Sequence, residues 1–343
     1  MPDRMDPRPW AKAIALAVLA AGFFAAANIL IEYWLVHRRS LTTVSLQLLL
    51  LVVRMAWVPP AVGAARAFRT ARQGRLTDEQ VRQLQESRRR LQVERVKRIL
   101  DASERLEMAF QPVIDLRTGR MSHLEALARF RTDPYRPPDQ WFEEAAGLGM
   151  GADLELLALR RALERIGEVS DHIGVAVNLS PSVVADPRAV ELISHHDPAR
   201  VVIEITEHAV VDEYEALREH LGSLRDIGAR LAVDDVGAGY ANLRHVVRLS
   251  PDVIKLDRVL VSGLDAESPL QGLISGLADY ARHTGAALVA EGIETAAELA
   301  TLRILGVTHG QGYFLARPAN LLDIDQQGDW TEVISDTSDA DRA

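Results

Sequence analysis

Eight short apolar runs recur along the chain, at residues 108–114, 124–130, 173–179, 201–205, 230–234, 253–256, 286–290 and 307–310. Each is too short to cross a bilayer, and each reads as a buried strand. Amphipathic stretches such as 154–166 and 214–226 fill most of the gaps. Eight strands alternating with helices over roughly 215 residues predict a TIM-like (β/α)8 barrel. A doubly wound open sheet is the alternative. No glycine-rich phosphate loop of either standard spacing is present.

Composition narrows the chemistry. The chain has 343 residues, 48% of them hydrophobic, enough for one large domain and an appendage. Its formal net charge of −9 argues against a DNA or RNA polymer as partner. There is no cysteine, which excludes disulfides, thiolate catalysis and thiolate-held zinc. Plentiful carboxylates favour a hard cation, Mg²⁺ or Mn²⁺.

The N-terminal region, 1–76, predicts a membrane segment. Residues 13–36 are almost wholly apolar, with Glu32 the sole formal charge. At about 1.5 Å per residue, such a helix spans a hydrocarbon layer of roughly 30 Å. The run also exceeds the roughly 7–15 apolar residues of a secretory signal. A second apolar stretch, 41–65, contains Arg54 and Pro59-Pro60. An arginine at a span's centre costs about 2.5–3.5 kcal/mol, so this stretch needs a neighbour. Arg4, Arg8 and Lys12 precede the first stretch, and Arg66, Arg69, Arg72 and Arg75 follow the second. A two-helix hairpin with both groups inside places the remainder in the cytoplasm. One span plus an interfacial segment is the alternative. Residues 77–107 predict a helical linker opened by Thr77, whose Arg88, Arg89 and Arg90 can meet anionic headgroups. The barrel is expected over 108–324, and 325–343 reads as an acidic flexible tail.

Polar residues cluster at the ends of the runs: Glu125, Asn178, Glu204, Asp234-Asp235, Lys255, Glu291 and Gln311. In a parallel barrel those ends share one face, where chemistry gathers. Singly, each is an ordinary turn, cap or ion pair. A lysine within Val253-Ile254-Lys255-Leu256 needs a partner once buried. Adjacent carboxylates at Asp234 and Asp235 repel unless a cation sits by them. Several carboxylates and one amide suit two hard cations about 3.5–4 Å apart, a pair that activates water for displacement at phosphorus. Lys255 could orient that water, and Arg129 could hold a phosphate oxygen. Paired carboxylates also serve glycosidases, but the lysine and asparagine fit that chemistry less well.

Read in order, these residues resemble the successive motifs of the EAL domain. They are Glu125-Ala126-Leu127-Ala128-Arg129, Asn178-Leu179-Ser180-Pro181, Glu204-Ile205-Thr206-Glu207, Asp234-Asp235-Val236-Gly237-Ala238-Gly239-Tyr240, Ile254-Lys255-Leu256-Asp257, Glu291-Gly292-Ile293-Glu294 and Gln311-Gly312-Tyr313. The resemblance covers about 95–320. It implies a modified TIM barrel whose first strand is antiparallel, and hydrolysis of cyclic di-GMP to linear pGpG with two Mg²⁺ or Mn²⁺ ions. It implies Glu125, Asn178, Glu204 and Asp234 as ligands of one metal, Asp235 at the second, and Glu291 in the same cluster. Lys255 would stand beside the attacking water and Gln311 would order a water. Gln111, Leu124 and Arg129 would face the nucleotide, Glu207 would anchor the following loop and Glu294 would support the metal shell. The family often dimerises through that loop. Val236 stands where the family has an aromatic residue and Ala238 where it has threonine. A member that lost metal ligands would act as a cyclic di-GMP receptor, and one that bound nothing would be a scaffold.

Overall fold

The computed structural model describes residues 78–206, 214–237, 242–325 and 330–334. Both expected membrane segments, Thr77, Glu207, Ala238 and Tyr240 lie outside the described residues. Among the described residues no helix is long and apolar enough to cross a membrane. The chain divides into two compact units, Met1–Gln85 and Glu86–Ala343. The described part of the first is the beginning of helix α1 (Asp78–Asp101).

In the second unit, eight strands close a barrel in sequence order. They are β1 (Leu106–Asp115), β2 (Met121–Phe130), β3 (Gly174–Asn178), β4 (Val201–Thr206), β5 (Arg230–Val236), β6 (Val253–Leu256), β7 (Ala287–Ala290) and β8 (His309–Gly310). All eight apolar runs are therefore strands, and the open sheet is excluded. β1 runs antiparallel to both its neighbours, β2 and β8, while β2 to β8 are mutually parallel. The turn Thr118-Gly119 makes this reversal possible. A Cβ at Gly119, whose φ is +69°, would lie 2.6 Å from the Thr331 backbone.

Helices cover the outside: α2 (Pro138–Gly147), α3 (Gly151–Leu163), α4 (Pro181–Val184), α5 (Pro187–Ser194), α6 (Tyr214–Asp226), α7 (Asn242–Leu249), α8 (Arg258–Val261), α9 (Ser268–Thr284), α10 (Ala296–Ile304) and α11 (Leu321–Asp325). Leucines on these helices, such as Leu159, Leu221 and Leu299, join the strands' outward residues in one core. A second cluster joins Val96 and Ile99 of α1 to Phe130, Trp141 and Leu154. The linker helix is thus packed on the barrel from Val96 onward.

The expected loose tail needs one correction. Trp330 and Ile334 are buried, the indole Nε1 donates to the Leu315 carbonyl at 2.9 Å, and Arg303 donates to the Ile334 carbonyl at 2.7 Å. Two apolar residues four apart dock this segment against the acidic background around it.

Candidate metal centre and active site

Strand periodicity builds the site. Inside the barrel, Val113, Ala176, Val202, Ala232, Val253 and Val289 form a small apolar plug. Because side chains alternate with period two, the residue two places nearer the mouth points the same way. Those residues are Gln111, Asn178, Glu204, Asp234, Lys255 and Glu291. Glu125, paired with Gln111 across β1 and β2, and Gln311, just past β8, complete the layer. A dry plug of small side chains thus carries a ring of polar ones.

Lys255 is at the centre of that ring and is fully buried. Its Nζ lies 2.8 Å from Glu291 Oε1, 2.9 Å from Glu204 Oε2, 3.2 Å from Asp234 Oδ2 and 3.6 Å from Glu125 Oε2. Asn178 donates to Glu204 at 3.3 Å and to Glu125 at 3.4 Å. Gln311 donates to Glu125 at 2.6 Å and to Gln111 at 2.9 Å, and Gln111 donates to the Ala316 carbonyl at 2.9 Å. Eight chain segments, one from each strand or its end, thus meet in one polar layer.

The layer carries excess negative charge. Four carboxylates face one ammonium, and Asp235 adds a fifth at the mouth. Burial pushes Glu204 well above the usual carboxylate range; Lys255 offsets part of this, and Glu125 and Asp234 add to it. Glu291 is raised to about 8, again by burial first, with Lys255 opposing and Asp234 and Glu125 reinforcing. Burial alone would lower Lys255, but Asp234, Glu125, Glu204 and Glu291 together hold it well above its ordinary value. Glu204 Oε1 and Gln311 Oε1 are buried with no partner.

These features fit divalent cations. Two overlapping oxygen sets have donor atoms within 4.8 Å of one another: Glu125, Glu204 and Asp234, then Asp234, Asp235 and Glu291. Asp234 belongs to both. Asp235 reaches this position through a left-handed backbone, φ 56°, with its N–H donating to Asp234 Oδ1 at 2.8 Å. A non-glycine residue there is strained, and its neighbour Gly237 (φ +123°) has no space for a Cβ beside Leu260. Val236, in place of an aromatic residue, is buried in the main core and bonds Asp257 through its carbonyl at 3.0 Å.

A cavity of about 340 Å³ opens over the carboxylates. Gln111, Glu125, Asp234, Asp235, Glu291 and Gln311 line it. Leu124 does not: it is fully buried in the main core. Its parity is opposite to that of Glu125, and Leu127, two places beyond Glu125, lines the cavity instead. Arg129, also expected to face the ligand, shares that parity but is not among the cavity's lining residues; it is half-buried and donates to the Ala128 carbonyl at 2.9 Å. Glu294 is at the cavity wall, paired with Arg258 at 2.9 Å rather than with the carboxylate ring. The support for this region comes from Glu298, which accepts from the backbone N–H groups of Gly263, Glu294 and Thr295. Sequence reasoning did not assign Leu127, Asp257, Arg258 or Tyr313, which also line the cavity. Strand parity alone would have identified Leu127.

Comparison with known proteins agrees with this geometry. The family model described as "EAL domain" matches residues 93–318. The Cyclic di-GMP phosphodiesterase NbdA of Pseudomonas aeruginosa is 30% identical over 248 residues, 69% of this chain and 32% of that protein. The Cyclic di-GMP phosphodiesterase RocR of the same organism is 32% identical over 244 residues, 65% of this chain and 59% of that protein. The matched region therefore spans less than two thirds of either relative. The solved structure of Klebsiella pneumoniae BlrP1 in complex with manganese and cyclic di-GMP is 30% identical with a TM-score of 0.57, covering 63% of this chain and 56% of that one. With the matched motifs set in a closed barrel around one acidic layer, the chain belongs to the EAL domain family.

Proposed function

We propose that this chain is a membrane-tethered cyclic di-GMP phosphodiesterase that opens the cyclic dinucleotide to linear pGpG. The observation that carries the reading is the buried ring of four carboxylates around Lys255, joined by Asn178 and Gln311. Named relatives that share the domain are cyclic di-GMP phosphodiesterases. Glu125, Asn178, Glu204 and Asp234 would hold one Mg²⁺ or Mn²⁺, and Asp234, Asp235 and Glu291 the second. Such a pair, when bound, lowers the pKa of water and stabilises charge on the phosphoryl oxygens.

The chain's own residues supply the rest. The Lys255 ammonium, kept charged by its neighbours, faces the attacking oxygen and balances charge as the phosphodiester is opened. Gln311 fixes Glu125 by a short hydrogen bond and leaves its own Oε1 free to orient water. Leu127 and Tyr313 offer apolar surface to the nucleotide, and Arg258 offers charge near its phosphates. The apolar segments 13–36 and 41–65 anchor the protein to the cytoplasmic membrane with the barrel in the cytoplasm, and two copies pair through the loop after Asp235.

Incubating the purified full chain with cyclic di-GMP and Mg²⁺ or Mn²⁺, and separating the products, tests this. Accumulation of pGpG is expected. Intact substrate with both metals, despite tight binding, would replace the enzyme with a receptor.

A further inference from the structure

A second cavity, of about 730 Å³, lies where α1 passes the end of β2 and the beginning of α2. It shares no lining residue with the cavity over the carboxylates. Its volume falls within the range of small-molecule sites. Arg95, Arg98, Arg105 and Arg136 line it, against only two carboxylates, Asp133 and Glu144.

Two buried groups in its wall are unmatched. Glu144, with a side chain 4% exposed, spends Oε2 on Arg136 and on Arg95, the latter at 3.6 Å, while its Oε1 has no partner. Trp141 is 2% exposed and its Nε1–H donates to nothing. Phe130 stacks on that indole at 5.2 Å, and the Arg136 guanidinium lies over it at 5.1 Å, so the ring is fixed. Buried donors and acceptors are rarely left open in a folded chain unless something fills them. Arg98 bonds only its own helix, through Nε to the Glu94 carbonyl at 3.4 Å, and neither it nor Arg105 forms an ion pair among the described residues. Tyr135 also lines the cavity and leaves 71% of its surface exposed.

We propose that this cleft binds a purine nucleoside phosphate and that its occupancy ties the linker helix to the barrel. The guanidinium groups of Arg98 and Arg105 match phosphate oxygens. Tyr135 presents a face on which a base can stack. Glu144 Oε1 accepts a base N–H, and Trp141 Nε1 donates to a ring nitrogen or carbonyl. Inorganic phosphate and a phosphatidylglycerol headgroup satisfy the arginines but offer no aromatic face for Tyr135. A nucleoside phosphate supplies both. Because Arg95 and Arg98 are on α1 and Glu144 and Trp141 on α2, one ligand contacts both elements. The inference does not depend on the phosphodiesterase reading.

Calorimetric titration of the full chain, in non-ionic detergent with EDTA, tests it using GMP, AMP and inorganic phosphate. The result expected is saturable binding of GMP or AMP, at least tenfold tighter than phosphate. The affinity should fall at least tenfold in the Arg98→Ala/Arg105→Ala double variant and in Tyr135→Ala, and should be unchanged in Glu125→Ala. Saturation by neither nucleotide, or equal affinity in the arginine double variant, overturns the proposal. Loss of binding in Glu125→Ala would move the nucleotide to the barrel mouth and overturn it equally. Arginine-dependent binding to phosphatidylglycerol vesicles without nucleotide binding would make the cleft a membrane contact.

Discussion

The ammonium of Lys255 and the carboxylate of Glu204 are in contact at 2.9 Å, and both side chains are wholly buried. A pair so enclosed is strongly destabilising to break, by about 3–5 kcal/mol, because the remaining charge has no solvent. Here the remaining charges would be several carboxylates facing one another. Lys255→Met should therefore lower the melting temperature sharply without divalent metal. Millimolar Mg²⁺ should restore much of that loss, while cyclic di-GMP turnover stays at least 100-fold down. Thermal melts with and without Mg²⁺, alongside product analysis, check this; an unchanged melt without metal would contradict it.

The acidic layer also sets a pH dependence. Glu291 has a folded value of about 8 against a reference of 4.5. Between those values the folded chain holds a proton that the unfolded chain releases. That stability is fully present below about pH 4.5 and is lost as pH rises through about 8. Without divalent metal, the melting temperature should decline from pH 5 to pH 8. Bound Mn²⁺ expels the proton and should flatten the slope. A pH series of melts with EDTA or Mn²⁺ reads both lines, and a steeper slope with Mn²⁺ would count against the cation cage.

Leu124 and Leu127 separate packing from recognition. Leu124 is fully buried in the core, and Leu127 lines the cavity. Leu124→Ala should cost about 2–5 kcal/mol of stability with KM unchanged. Leu127→Ala should raise KM severalfold with little change in melting temperature. Denaturation and steady-state kinetics on both variants decide it; a KM effect from Leu124 alone would reverse the assignment.

Gly312 holds Gln311 in place. A Cβ at this position would lie 2.2 Å from both the backbone N and O of Ile293, and no side-chain rotation can relieve a clash with backbone. Gly312→Ala should displace Gln311 from Glu125 and reduce kcat at least tenfold while the barrel remains folded. A kinetic measurement with a circular dichroism control tests this, and full activity would show that the backbone yields.

Much of this fold was legible because burial writes itself into sequence. All eight apolar runs became strands, since closed parallel strands are covered on both faces. The site residues Glu204, Asp234, Lys255 and Glu291 were conspicuous because a charge at or near the end of an apolar run is costly without a partner, whereas Asn178 and Glu125 stood out only as members of the set. What misled was neglect of parity: Leu124 and Leu127 look equivalent as apolar neighbours of Glu125, but only Leu127 shares its face of β2. Trp330 and Ile334 were hidden in a polar stretch because two apolar residues are too few to show a period. The union of Arg95, Arg136 and Glu144 was unreadable, since nothing local connects α1 to α2.

The most direct test of the central claim is a titration of Mn²⁺ into the metal-stripped full chain, followed by paramagnetic resonance of the free ion. Saturable uptake of two ions per chain is expected, with both lost or greatly weakened in Asp234→Asn, the carboxylate common to the two oxygen sets. Uptake that never saturates, or that is the same in Asp234→Asn, would contradict the account.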